Sequence, residues 1–151
     1  YFHSERGRAG LSEHRHDFCH LLWRLWSPTW RFDEATYART AQAFNNPDFV
    51  DIVIHSYRHR FGLVSGDPAV AAIEARLAAQ PDISVPTIVL DGAADGIAAT
   101  GTASAHARHF TAPFERRVLA DIGHNPPQES PVQFAAAVLD LIQGRLPPSL
   151  N

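Results

Sequence analysis

Asp95 and His124 stand 29 positions apart, each just beyond a short apolar run that breaks into a loop. Thr87–Leu90 leads to the first, in VPTIVLDGAADGI, and Arg117–Ala120 leads to the second, in ERRVLADIGHNPPQESPVQF. A carboxylate that accepts a hydrogen bond from one imidazole nitrogen sets the ring tautomer. It also stabilises the imidazolium formed when the other nitrogen takes a proton. Acid and imidazole are therefore two parts of a nucleophile–histidine–acid triad. Asp91, at the strand end, and Asp121, in the next strand's loop, are rival acids for which a solvated turn position is the ordinary reading.

The third part, a nucleophile on a tight strand-to-helix elbow, has no counterpart in the chain. Gly10-Leu11-Ser12 comes nearest to G-x-S-x-G, but Glu13-His14 follows where x-Gly is required and no strand precedes it. Ser56, Ser65 and Ser104 lack glycines at the required spacing, and no aspartate stands on such an elbow. The chain contains no methionine and opens YFHSERGRAGL, which reads as the interior of a longer sequence.

The elements that must position Asp95 and His124 follow from periodicity and punctuation. Leu11, Phe18, Leu21, Leu22 and Leu25 recur at helical spacing over residues 11–26, and Ser27-Pro28 stops that helix. Asp33 is placed to cap a second helix ending near Asn45-Asn46-Pro47, and Asp48 a third ending at Gly62. Asp67-Pro68 opens a fourth, closed by Pro81. Residues 1–80 thus read as wholly helical. From Ile83 onward the character changes. Two strands are expected near 86–91 and 115–120, with a helix over about 103–110 between them. A last helix starts at Pro131 with Phe134, Val138 and Leu141 on its apolar face, and GRLPPSLN is a frayed end. Strands alternating with helices imply a parallel sheet. Two strands alone make a poor free-standing sheet, so this is the end of a larger α/β domain preceded by a helical insertion.

Composition removes several classes of function. Hydrophobic residues make up 45% and charged residues 19%, ordinary for a globular chain. A net charge of −3 without a basic stripe argues against a nucleic-acid partner. No apolar run approaches the roughly 20 residues of a membrane span, and no signal-peptide pattern opens the chain. The single cysteine, Cys19, excludes an internal disulfide and points to a reducing, cytoplasmic setting.

The order strand–DGAADGI–helix–strand–DIGHNPPQESPVQF–helix resembles the last third of the α/β-hydrolase fold. In that family a turn glycine and an aspartate follow one late strand. A Gly-His follows the final strand, and a Glu-x-Pro-x-x-Phe-like segment opens the last helix. Gly92, Asp95, Gly123, His124, Glu129, Pro131 and Phe134 stand in that order here. The family also inserts a helical cap ahead of these strands, and residues 1–80 look like that cap, with residues 81–151 as the C-terminal end of the core.

The resemblance implies an epoxide hydrolase-, haloalkane dehalogenase- or esterase-like parent acting on a small molecule without a cofactor or metal. Asp95 and His124 would be catalytic. The nucleophile elbow and oxyanion hole would lie upstream of the cap, outside this chain. Gly123 would let the backbone turn sharply before the histidine. Trp23, Trp26 and Trp30 cluster near a helix end, and Phe49, Tyr57 and Phe61 lie on the third helix. They read either as packing between cap and core or, for Trp23, Trp26 and Tyr57, as the lining of a substrate pocket. Tyr57-Arg58 is similar to the Tyr-Arg pair on a cap helix of epoxide hydrolases, where the phenol donates a hydrogen bond to the epoxide oxygen. Relatives with other activities carry such a pair too. His55 with His59, and His14, His16 and His20, have spacings seen in metal sites but match no metal motif and read as solvated helix faces. A reading from another class also fits, in which the chain is a non-catalytic helical binding module that keeps a decayed hydrolase tail.

Overall fold

The structure, a computed structural model, describes residues 1–98 and 106–146. Its elements in order are α1 (Glu5–Trp26), α2 (Glu34–Ala41), α3 (Phe49–Arg60), α4 (Ala71–Ala78), β1 (Thr87–Gly92), β2 (Phe114–Leu119), α5 (Pro126–Glu129) and α6 (Pro131–Ile142). They pack as two compact units, one of residues 1–23 and 31–75, the other of residues 24–30 and 76 onward.

The first unit is helical and closes on an apolar core. Leu11 and Ile54 are each only 1% exposed and join Phe2, Cys19 and Val50, with Phe18, Phe44 and Tyr57 packed around them. Val50, Ile54 and Tyr57 follow at helical spacing, so α3 presents one apolar stripe. Fully burying a side chain of that size stabilises by about 1.5–3 kcal/mol. Ion pairs Arg8–Asp51 and Arg58–Glu5 link α1 to α3. The Tyr37 phenol donates to the His16 carbonyl, and burial, followed by the charges of Cys19 and Asp17, pushes its pKa up to about 12.

Several local expectations are met and several are corrected. Asp33 caps α2 by accepting from Thr36 N at 2.7 Å, and α2 runs on into a 3₁₀ turn over Gln42–Asn45. Asp48 makes no side-chain cap: its φ/ψ of −86°/−3° is already helical, whereas a cap needs an extended residue to bring its oxygen over the first free amides. Asp67 accepts from Ala69 N at 2.8 Å, but the turn it opens is 3₁₀ over Pro68–Val70 before α4 begins. Helix α1 starts at Glu5 rather than Leu11 and is interrupted at His14, with φ/ψ of −130°/33°. Of the helix expected over 103–110, residues 103–105 lie outside the described residues. Residues 106–109 form a 3₁₀ turn, and Phe110 makes a parallel bridge to Ile83.

The second unit contains the sheet. Strands β1 and β2 are parallel neighbours, in register from Thr87 opposite Phe114 to Gly92 opposite Leu119. Among the described residues each strand has one partner, so each leaves an edge unpaired. Helix α6 packs beside β1, where Ile88, Leu90, Phe134, Ala137, Val138 and Leu141 line a cleft of about 290 Å³. Arg117 on β2 bridges Glu115 and Asp140, the latter on α6 at 2.8 Å. Because the strands are parallel, the loops that leave β1 and β2 emerge at the same sheet edge, and these carry Asp95 and His124.

Candidate active site

Past Gly92, the loop after β1 turns so that one Asp95 oxygen, Oδ1, accepts from the backbone N–H groups of Ile97 at 2.8 Å and Ala98 at 3.1 Å. The second oxygen, Oδ2, lies 2.9 Å from His124 Nδ1. The Asp95 side chain is 13% exposed and that of His124 36%. Burial pushes the Asp95 carboxyl up, but the hydrogen bonds from His124, Ile97 and Ala98 together outweigh it and hold the group below the usual carboxylate range. An ionised carboxylate can only accept, so Nδ1 carries the proton and Nε2 of the neutral ring keeps its lone pair. An imidazole so held can take a proton at Nε2 and retain a compensating negative charge at Nδ1.

Neither rival acid is the one set against the imidazole. Asp91 lies within β1 and pairs with Arg116 at 2.5 Å. Asp121 takes up a left-handed conformation, φ 58°, in the turn after β2.

Residues 24–30 belong to this unit and reach both loops. The Trp26 ring stands edge-on to the His124 imidazole, centroids 5.3 Å apart. The Trp26 carbonyl accepts from Gly96 N at 2.9 Å. Ser27 is only 1% exposed. Its hydroxyl accepts from His124 N at 3.1 Å and from Asn125 Nδ2 at 3.3 Å, and donates to Glu129 Oε1 at 2.6 Å. Glu129, at the end of α5, accepts in addition from Gly123 N at 2.7 Å and Asn125 N at 2.9 Å.

The sequence supplied a proline stop at Ser27 and a motif position at Glu129, but no sign of this network. Ser27's partners lie 97 to 102 positions from it, and no periodicity reports on such contacts. Gly123 is also explained differently from the expectation. It is not among the glycines with positive φ; instead, a Cβ there would stand 2.5 Å from Ser27 Cα. Close approach, not a special turn, excludes a side chain.

The remaining candidates lie in the first unit. Trp23 packs edge-on to Phe32 and Tyr37, with centroids 5.2 Å away in each case. Tyr57 lies against Phe2 at 4.9 Å, with the Arg60 guanidinium 5.3 Å from its ring centroid. His55 and His59 stack 6.2 Å apart. Among the described residues no three His, Cys, Asp or Glu side chains converge where a metal could be held. None of the described helices is long and apolar enough to cross a membrane.

No protein-family model matches the chain, and no curated protein does. Among solved structures it is similar to a proposed epoxide hydrolase from Klebsiella pneumoniae subsp. pneumoniae MGH 78578. The identity is 46% and the TM-score 0.89, over 95% of this chain. The match spans 47% of that protein, about half its length. With its helical cap, two parallel strands and flanking helices, the chain belongs to the α/β-hydrolase fold family and carries its C-terminal architecture. Within that family its likeness is to the epoxide hydrolase-like members.

Proposed function

We propose that this chain is the cap and C-terminal end of a hydrolase in which Asp95 and His124 serve as acid and base of a nucleophile–histidine–acid triad. Residues 1–80 act as the cap and 81–151 as the end of the core. The nucleophile elbow and oxyanion hole come from sequence beyond these 151 residues. The observation that carries the reading is the 2.9 Å contact between His124 Nδ1 and an Asp95 carboxylate whose other oxygen is already fixed by two backbone amides.

The substrate is a small molecule with an ester, epoxide or carbon–halogen bond. With a serine nucleophile, His124 Nε2 takes the hydroxyl proton as oxygen attacks the carbonyl, then returns it to the leaving group. With an aspartate nucleophile, the carboxylate displaces halide or opens the epoxide, giving an alkyl ester. His124 then takes a proton from the water that hydrolyses that ester. Trp23, Trp26 and Tyr57 contribute the aromatic substrate contacts. In the epoxide case the Tyr57 phenol donates to the oxygen released on ring opening. The likeness to the Klebsiella protein favours the epoxide among these substrates.

The test is a chimera that joins this chain to the part of the Klebsiella protein it does not cover, assayed with a terminal epoxide, a haloalkane and an aryl ester. Turnover that is lost in Asp95→Asn and His124→Ala supports the triad. Selective loss of epoxide opening in Tyr57→Phe supports the phenol's role. A folded chimera that is inactive under conditions where the Klebsiella protein turns over its substrate would favour the non-catalytic helical module.

A further inference from the structure

Segment 25–27 touches both loops of the site, and two glycines make room for it. A Cβ on Gly96, next to Asp95, would stand 2.0 Å from the Leu25 carbonyl oxygen, and one on Gly123, next to His124, 2.5 Å from Ser27 Cα. Each loop also donates a backbone N–H to the segment: Gly96 N to the Trp26 carbonyl at 2.9 Å, and His124 N to the Ser27 hydroxyl at 3.1 Å. Glu129 ties the serine in turn to Gly123 and Asn125.

We propose that residues 25–27, locked by Glu129, form a positioning strap that sets the register between the Asp95 loop and the His124 loop. The inference rests on reading those two residues as a catalytic pair, but concerns their geometry rather than turnover. Ser27 is not itself a nucleophile here: its hydroxyl is buried and its proton is committed to Glu129. Its role is that of a relay. A carboxylate accepting from two backbone amides and a hydroxyl orients that hydroxyl, leaving its lone pairs for the His124 amide and the Asn125 side chain. Shifting Ser27 would move the imidazole against a carboxylate that Ile97 and Ala98 hold in place.

The test is read by NMR on the chimera described above. In the unaltered chimera the His124 Nδ1 proton gives a slowly exchanging downfield signal, and the His124 amide exchanges as slowly as amides within the strands. Ser27→Ala speeds exchange of that amide roughly tenfold or more, as expected for a lost buried hydrogen bond. It also weakens the Nδ1 signal, as Asp95→Asn does. Glu129→Gln, which keeps the shape but sets an amide group against backbone N–H donors, does the same. If either folded variant melts earlier yet leaves the Nδ1 signal unchanged, Ser27 and Glu129 are packing residues and the strap is refuted. Should both variants fail to fold, the unaltered chimera decides: a His124 amide that exchanges at the rate of an open loop overturns the proposal. A chimera without activity but with these signals intact would sink the catalytic reading and leave the strap standing.

Discussion

The two units are held together by different physics. In the first, the deepest side chains are Leu11 and Ile54, and stability comes from apolar burial and ring packing. Among the described residues of the second, the deepest side chain is Ser27, a hydroxyl with hydrogen-bond partners on every side, and the buried apolar residues are Leu119 and Ala137. Apolar packing is tolerant of shape: a leucine replaced by a similar volume still excludes water. A buried polar network is not, because each group left unpaired bears its whole desolvation cost. The contrast suits the proposed role of the second unit, which needs an acid and an imidazole held within a few tenths of an ångström of a working geometry.

The comparison can be broken most decisively at the pair itself. In the chimera, Asp95→Asn is expected to lower turnover by about 10⁴-fold while the far-UV circular dichroism stays unchanged, because the amide no longer dictates the productive tautomer. A loss of only a few-fold would place the essential acid elsewhere.

Next comes the apolar core of the first unit. Ile54→Ala, at a site 1% exposed, should cost about 2–5 kcal/mol in urea denaturation through lost transfer energy and a residual cavity. The matching change in the second unit, Ser27→Ala, removes one oxygen rather than three carbons, and should still cost about 1–3 kcal/mol, since Glu129 and the His124 amide lose a buried partner. If Ser27→Ala is neutral in the same denaturation series, the polar network is not what stabilises the second unit.

The smallest effect is electrostatic and lies at the β2–α6 contact. Hydrogen bonds from Arg117 and then Arg145 hold the Asp140 carboxyl below its usual range, and a hydrogen bond from Arg117 does the same for Glu115. A carboxylate whose pKa is lower in the folded state stabilises the fold above its unfolded pKa. That contribution is lost as pH falls through the folded value. Melting temperature should therefore drop on acidification below the ordinary carboxylate range, and drop less in Asp140→Asn. Both partners are near the surface, so added salt should shrink the difference. An acid-induced drop of the same size in Asp140→Asn would remove the ion pair from the account.

Much of this arrangement is local and was legible in the residues. Apolar, β-branched runs ending in glycine-bearing loops marked β1 and β2, Asp33 marked the start of α2, and Ser27-Pro28 marked the end of α1. These signals act over a few positions, where side-chain size, branching and missing amides determine what the backbone can do. The order of Gly92, Asp95, Gly123 and His124 along parallel strands brought the two loops to one edge without any knowledge of packing. The motif order already singled out Asp95 as the partner of His124; only the tertiary structure decided how its rival Asp91 is occupied instead. Asp91, four residues earlier, is taken by Arg116 on the neighbouring strand, a choice made by register rather than by type. It likewise decided why Gly123 bears no side chain and why Ser27 and Glu129 matter. Contacts between residues some hundred positions apart depend on how the backbone folds back on itself, and a hydroxyl or a glycine carries no mark of the neighbour it will meet.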